Sequence, residues 1–127
     1  ELSTAQWSHG SSLLSSRRGH ACIVEPVSMQ LYAIGGLSSS GSHSHSIEAI
    51  RIDAVHTEEW RYLDGTLLHA VVQTRVVLYR EYIVVIGGFY TLQSGSLLSR
   101  VYVDEIQCIE PQTERVSVIG RLQYAVS

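Results

Sequence analysis

The chain has 127 residues, of which 45% are hydrophobic and 17% charged, with a formal net charge of -3. That is enough for one modest packed domain, and it excludes general disorder. The basic residues are scattered, which argues against a nucleic-acid surface, and no apolar run approaches the ~20 residues that span a bilayer. Two prolines and one phenylalanine against abundant Val, Ile, Tyr and Ser point to an all-β protein with serine-rich loops. The opening Glu1-Leu2-Ser3-Thr4 carries neither an initiator methionine nor a signal-like segment, so a piece of a longer polypeptide is expected.

In chain order, Thr4-Ala5-Gln6-Trp7 reads as the last strand of a preceding unit, closed by the turn-prone Ser8-His9-Gly10. A polar stretch, Leu13 to His20, leads into Ala21-Cys22-Ile23-Val24, the first strand of a full unit. Glu25 to Gln30 is a hairpin connection, and Leu31-Tyr32-Ala33-Ile34-Gly35-Gly36 is a strand stopped by paired glycines. Leu37 to Ser46 reads as a loop, Ile47 to Ile52 as a third strand, and Thr57 to Leu63, centred on Trp60, as a fourth. The plan then repeats. Asp64 to Leu68 turns the chain, Thr74 to Tyr79 and Tyr82 to Gly88 are strands joined by Arg80-Glu81, and Phe89 to Ser99 is a second serine-bearing loop. Arg100 to Ile109 and Glu114 to Val118 complete the second unit, and Ile119 to Val126 resembles Asp64 to Val71, as if a third were starting.

The organising feature is Leu31 to Gly36, which returns as Ile83-Val84-Val85-Ile86-Gly87-Gly88. Four short strands per unit of about fifty residues is the arrangement of a β-propeller cut from its ring. The double glycines, the fourth-strand tryptophans Trp7 and Trp60, and the entry Arg17-Arg18-Gly19-His20-Ala21 resemble the kelch repeats. The resemblance covers nearly the whole chain. It implies a kelch-like propeller fragment: residues 1–10 end one blade, 11–63 and 64–118 are full blades, and 119–127 begin another. The departures are Val116 in place of a tryptophan, Ile52 and Ile109 in place of third-strand tyrosines, and Val71-to-Thr74 opposite Arg17-to-His20.

A propeller leaves function to its loops. The resemblance implies one rim that holds a protein partner or other subunits of a larger complex. Carried onto this chain, that rim includes Ser39, Ser40, His43 and His45 from one loop, Tyr90 and Gln93 from the other, and Arg17, Arg18, His69 and Gln73 between blades. Ranked against it are a solvated polar edge, and a carbohydrate-handling ring of the lectin or galactose-oxidase-like kind. Two units standing alone, needing further copies to close a ring, are a third arrangement.

His43-Ser44-His45 suggests a metal, but two imidazoles do not close a tetrahedral site and Glu48 is the nearest acid. Exposed loop histidines are expected, with no metal and no cofactor. The spacing of Ser, His and Asp marks no catalytic triad, and the double glycines lack the spacing and helix of a phosphate loop. The expectation is therefore a non-enzymatic scaffold. Cys22 and Cys108 are expected to be buried free thiols, which leaves the compartment open with an intracellular one favoured.

Overall fold

The structure, a computed structural model, describes residues 6–123. It is all-β. Strands β1 (Ala21–Glu25), β2 (Gln30–Ile34), β3 (Ile47–Arg51) and β4 (Arg61–Tyr62) form one antiparallel sheet in chain order. The second sheet is built from β5 (Arg75–Tyr79), β6 (Tyr82–Ile86), β9 (Glu105–Glu110) and β10 (Arg115–Arg121), in the order β10-β9-β6-β5. Between β6 and β9 the chain makes a separate hairpin, β7 (Phe89–Ser94) and β8 (Leu97–Tyr102). Without that hairpin the second sheet has the same four-stranded meander as the first.

The first three strands of the two meanders share one register, which explains the paired glycines. Gly36 and Gly88 both have positive φ, +96° and +93°. A Cβ on Gly36 would stand 2.9 Å from the Arg18 carbonyl oxygen, and one on Gly88 would stand 2.9 Å from that of Val72. Each glycine thus lets the entry segment of its unit cross the end of a strand, a place where only hydrogen fits. The segments are held there by matching two-residue bridges, Arg18 with Leu37 and Val72 with Phe89. Likewise the Gly36 carbonyl accepts from Ser44 N–H, and the Gly88 carbonyl from Val103 N–H, each at 2.9 Å.

The sheets stack in one direction. Register places Ala21, Ile23, Tyr32, Ile34, Ile47 and Ala49 on one face of the first sheet, and Val76, Ile83, Val85, Gln107 and Ile109 on one face of the second. The apolar members of these faces join Leu67 and Val71, from the segment linking the sheets, in a single core cluster. Burying a residue such as Ile83 fully is worth roughly 1.5–3 kcal/mol. The two faces are not equivalent, however: Ile34 lies in the interface, whereas Ile86, its counterpart beside the second double glycine, faces the other way. The packing is head to tail, and it leaves the far face of the second sheet open and apolar, with Tyr79, Tyr82, Val84, Cys108 and Ile119 around a depression of about 540 Å³.

Several expectations need correction. Phe89 to Ser99 is a hairpin and not a loop; the two-residue turn Gly95-Ser96, with Gly95 at φ +62°, is its signature. Arg100 to Ile109 is accordingly two strands, broken where Val103 N–H turns aside to the Gly88 carbonyl. The third strand stops at Arg51, and Ile52 opens a 3-10 turn over Ile52–Ala54. Of the fourth strand only Arg61–Tyr62 forms, because Thr57 and Glu58 donate their N–H groups back to the Ala54 carbonyl. Trp60 sits just before it, half-buried, its indole N–H on the Ser11 carbonyl at 2.9 Å. Trp7 is 100% exposed and lies in no strand, while Thr4 and Ala5 are outside the described residues. Ile119 to Arg121 start no new unit; they extend β10 past a bulge between Val118 and Gly120, and residues 124–127 are outside the described range.

Gly88→Ala should cost about 1–3 kcal/mol, the range for a residue forced into a sparsely populated backbone region, with crowding against Val72 added. Urea unfolding monitored by tryptophan fluorescence measures it; an unchanged midpoint would mean that the crossing is not the constraint that sets this glycine.

Candidate functional site

The loops after the double glycines and the segment between the sheets lie together at one end of the molecule. Their base is a buried ion pair. Arg17 and Glu48 have side chains 0% exposed and meet at 2.7 Å. All five guanidinium N–H groups are used: Nε and Nη2 donate to Glu48 Oε2, Nη1 to the carbonyls of Gly35 and Ser46, and Nη2 also to Ser46 Oγ. Glu48 is completed by the N–H groups of Leu14 (2.6 Å) and Ser15 (3.2 Å). Such saturation is what allows a charge to be removed from water. Arg17 was expected on the partner-binding rim, and that is corrected: its guanidinium ties the entry segment to both ends of the 35–46 loop and has nothing left to offer a partner.

In the second unit Gln107 occupies the place of Glu48. Its Oε1 accepts from the N–H groups of Leu68 (2.8 Å) and His69 (3.4 Å), the same two-donor cradle. Val71, fully buried, stands where Arg17 stands in the first unit. The exchange is physically coupled: a carboxylate without the arginine would be a buried uncompensated charge, and an amide keeps the acceptor without it.

Three depressions lie along this end. The first, about 230 Å³, has Ser16, Arg17, Arg18, Ser38 and Ser39 in its wall. The second, about 370 Å³, includes Arg18, Leu37, Val72, Gln73, Phe89 and Arg100. The third, about 240 Å³, is bordered by His43, His45, His69, Tyr90 and Thr91 with Leu68 and Ala70. Arg18 borders the first and second, and Thr91 the second and third, so the three run into one another.

The expected rim residues therefore divide. His43, His45, His69 and Tyr90 come together in one depression, Arg18 and Gln73 in another, and Ser39 with Arg18 in the remaining one. Ser40 is exposed in the loop, with its hydroxyl on Ser38 at 2.8 Å. Gln93 lies apart near the β7–β8 turn, donating to the Gly95 carbonyl at 3.3 Å. Phe89, Thr91 and Arg100 were not singled out as site residues, and their place follows from the hairpin. The pairing of Phe89 with Tyr102 and of Thr91 with Arg100 brings β8 beside them.

The imidazoles are separately engaged. His43 Nε2 accepts from Thr91 N–H at 3.3 Å, His45 Nδ1 bonds the Leu67 carbonyl at 2.8 Å, and His69 Nε2 meets Glu105 Oε2 at 2.5 Å. Among the described residues no group of three His, Cys, Asp or Glu is placed to hold a metal ion. Burial holds His20 below its ordinary value of about 6.5; the Arg17 charge acts the same way and Glu48 opposes it. His20 Nδ1 is buried without a partner. Both cysteines are free, but Cys22 is exposed where a buried thiol was expected, and Cys108 is half-buried. Desolvation raises both thiols, chiefly, so neither is activated as a nucleophile.

Among the described residues no helix is long and apolar enough to cross a membrane. No protein-family model matches the chain, and no curated protein matches it.

Arg17→Val alone should lose about 3–5 kcal/mol by stranding the Glu48 carboxylate. Arg17→Val with Glu48→Gln, which transplants the second unit's arrangement, should recover most of it. Denaturant unfolding of both variants decides, and equal losses would refute the coupling. His20 supplies a pH dependence. Since folding lowers its pKa, the unfolded chain binds more protons below about 6.5, and stability falls as pH drops through that value. His20→Gln should flatten the decline between pH 7 and 5, as followed by thermal melts.

Proposed function

We propose that the two sheets are successive blades of a kelch-like β-propeller and that the protein is a binding scaffold whose rim loops hold a protein partner. Support for the propeller comes from head-to-tail stacking of two like meanders, with their first strands β1 and β5 side by side. Repetition of such a contact generates rings or open filaments, and four-stranded units of this size suit a ring. The open apolar face of the second sheet is then the seat of a further unit.

The observation that carries the binding reading is the continuity of the three depressions across both units, through Arg18 and Thr91. Rigid strands and a buried ion pair hold loops whose outward residues include Tyr90 and Arg18, residue types enriched in protein interfaces, together with the polar Gln73. Two of the depressions are smaller than a typical small-molecule pocket and the third is at its lower limit, which fits an extended contact better than an enclosed substrate.

The test is affinity capture with the full chain as bait. A rim variant combining Arg18→Glu, Gln73→Ala and Tyr90→Ala should lose the bound partner, and an off-rim variant, Arg51→Ala with Asp53→Ala, should keep it, with matched melting midpoints. Retention of the partner by the rim variant would overturn the proposal.

A further inference from the structure

The rim is electrostatically one-sided in a way that the net charge of the chain does not suggest. Twelve acidic residues outnumber nine Lys and Arg. Yet among the described residues no Asp or Glu borders any of the three adjoining depressions, whereas Arg18, Arg100 and three histidines do. The carboxylates that touch residues of these depressions are already engaged, Glu48 by Arg17 at 2.7 Å and Glu105 by His69 at 2.5 Å and Arg121 at 2.8 Å. Depressions elsewhere on the molecule contain acids, Glu25 and Glu81 in one and Glu110 in another.

The two arginines are also unspent. Six hydrogen bonds, two of them to the Glu48 carboxylate, occupy Arg17, but among the described residues neither the Arg18 nor the Arg100 guanidinium forms a salt bridge or donates to a protein acceptor. Both are nevertheless held in place. The Arg18 backbone is clamped by reciprocal bonds with Leu37 at 2.9 and 2.8 Å, and the Arg100 guanidinium lies 4.5 Å from the centroid of the Phe89 ring. Between them is an apolar floor of Val72 and Phe89, themselves joined by reciprocal backbone bonds. Arg100 over the Phe89 ring and Arg18 on its clamped backbone, beside an apolar floor, fit carboxylates carried on a chain with an aliphatic or aromatic residue between them, because charge-assisted hydrogen bonds are roughly twice as strong as neutral ones.

We infer that the rim binds an extended acidic segment of a partner protein, with Arg18 and Arg100 as its carboxylate-recognising residues. This rests on the rim being the binding face, as proposed above. It goes further in stating the chemistry of the partner, and three adjoining depressions suit a peptide better than a small free anion. Long-range attraction to such a segment would speed encounter and make binding sensitive to ionic strength.

The experiment is a peptide array of random ten-residue sequences graded from zero to four Asp or Glu, probed with the full chain and repeated with serine-phosphorylated peptides. Signal should rise with the number of acids and fall as salt is raised from 50 to 500 mM. Arg18→Glu and Arg100→Glu should each weaken the best peptides at least about tenfold, the loss of one hydrogen-bonded charge, and Arg51→Glu, off the rim, should not. Signal independent of acid count, signal confined to phosphorylated peptides, or unchanged binding by both arginine variants would each overturn the inference. The two readings separate cleanly. If rim variants lose the captured partner while the array shows no preference for acids, only the acidic-segment inference fails; if they keep the partner, both fail.

Discussion

A guanidinium with every N–H engaged sits beneath the loops of the first unit, and their placement depends on it. Arg17 reaches Gly35 at the start of the loop, Ser46 at its end, and Glu48 on β3, while Glu48 holds the N–H groups of Leu14 and Ser15. Three stretches distant in sequence are thus tied at one point out of water. Geometry of this kind contributes more to uniqueness than to net stability, since desolvating both ions offsets much of their attraction. The second unit obtains the same cradle with a neutral amide and an apolar neighbour, so the backbone arrangement is the invariant and charge is one of two ways to satisfy it.

Stacking extends this local order to the whole molecule. Because the same kind of face is buried in the first sheet and open in the second, the contact has a direction, and a directional contact between like units is what builds repeat architectures. The glycine crossings belong to the same design: Gly36 and Gly88 bring the entry segment of each unit against the end of its second strand, which sets where the next sheet begins.

Function in such a scaffold falls to what the strands carry at their ends. Here the two units contribute differently. The first offers a short serine and histidine loop; the second replaces it with the β7–β8 hairpin, whose Phe89 and Arg100 form one side of the central depression. The hairpin thus adds a second cation, Arg100, beside the first unit's Arg18, where the first unit's own loop has hydroxyls.

The sequence alone determined the strands and their repetition. Alternating apolar residues and paired glycines are local signals, and β1, β2, β3, β5 and β6 fall within a residue or two of the places those signals mark. Local signals misled where a side chain was read without its partners. Trp60 suggested a long fourth strand, but backbone bonds to Ala54 turn the chain first. Serines between Phe89 and Ser99 suggested a loop, although the Gly95-Ser96 turn between pairable runs is a hairpin signature. Of the residues expected on the rim, His43, His45, His69 and Tyr90 border one depression and Arg18 and Gln73 another, an end of the molecule that their distance from the strand centres in the sequence could suggest. What tertiary structure decided was which arginines are available. Arg17 and Arg18 are adjacent and chemically identical, and successive side chains in extended backbone point opposite ways. One therefore meets Glu48, thirty-one residues away, and disappears from solvent, while the other is left facing the rim. No spacing in the chain distinguishes them, because the distinction is made by residues brought near only when the sheet has formed.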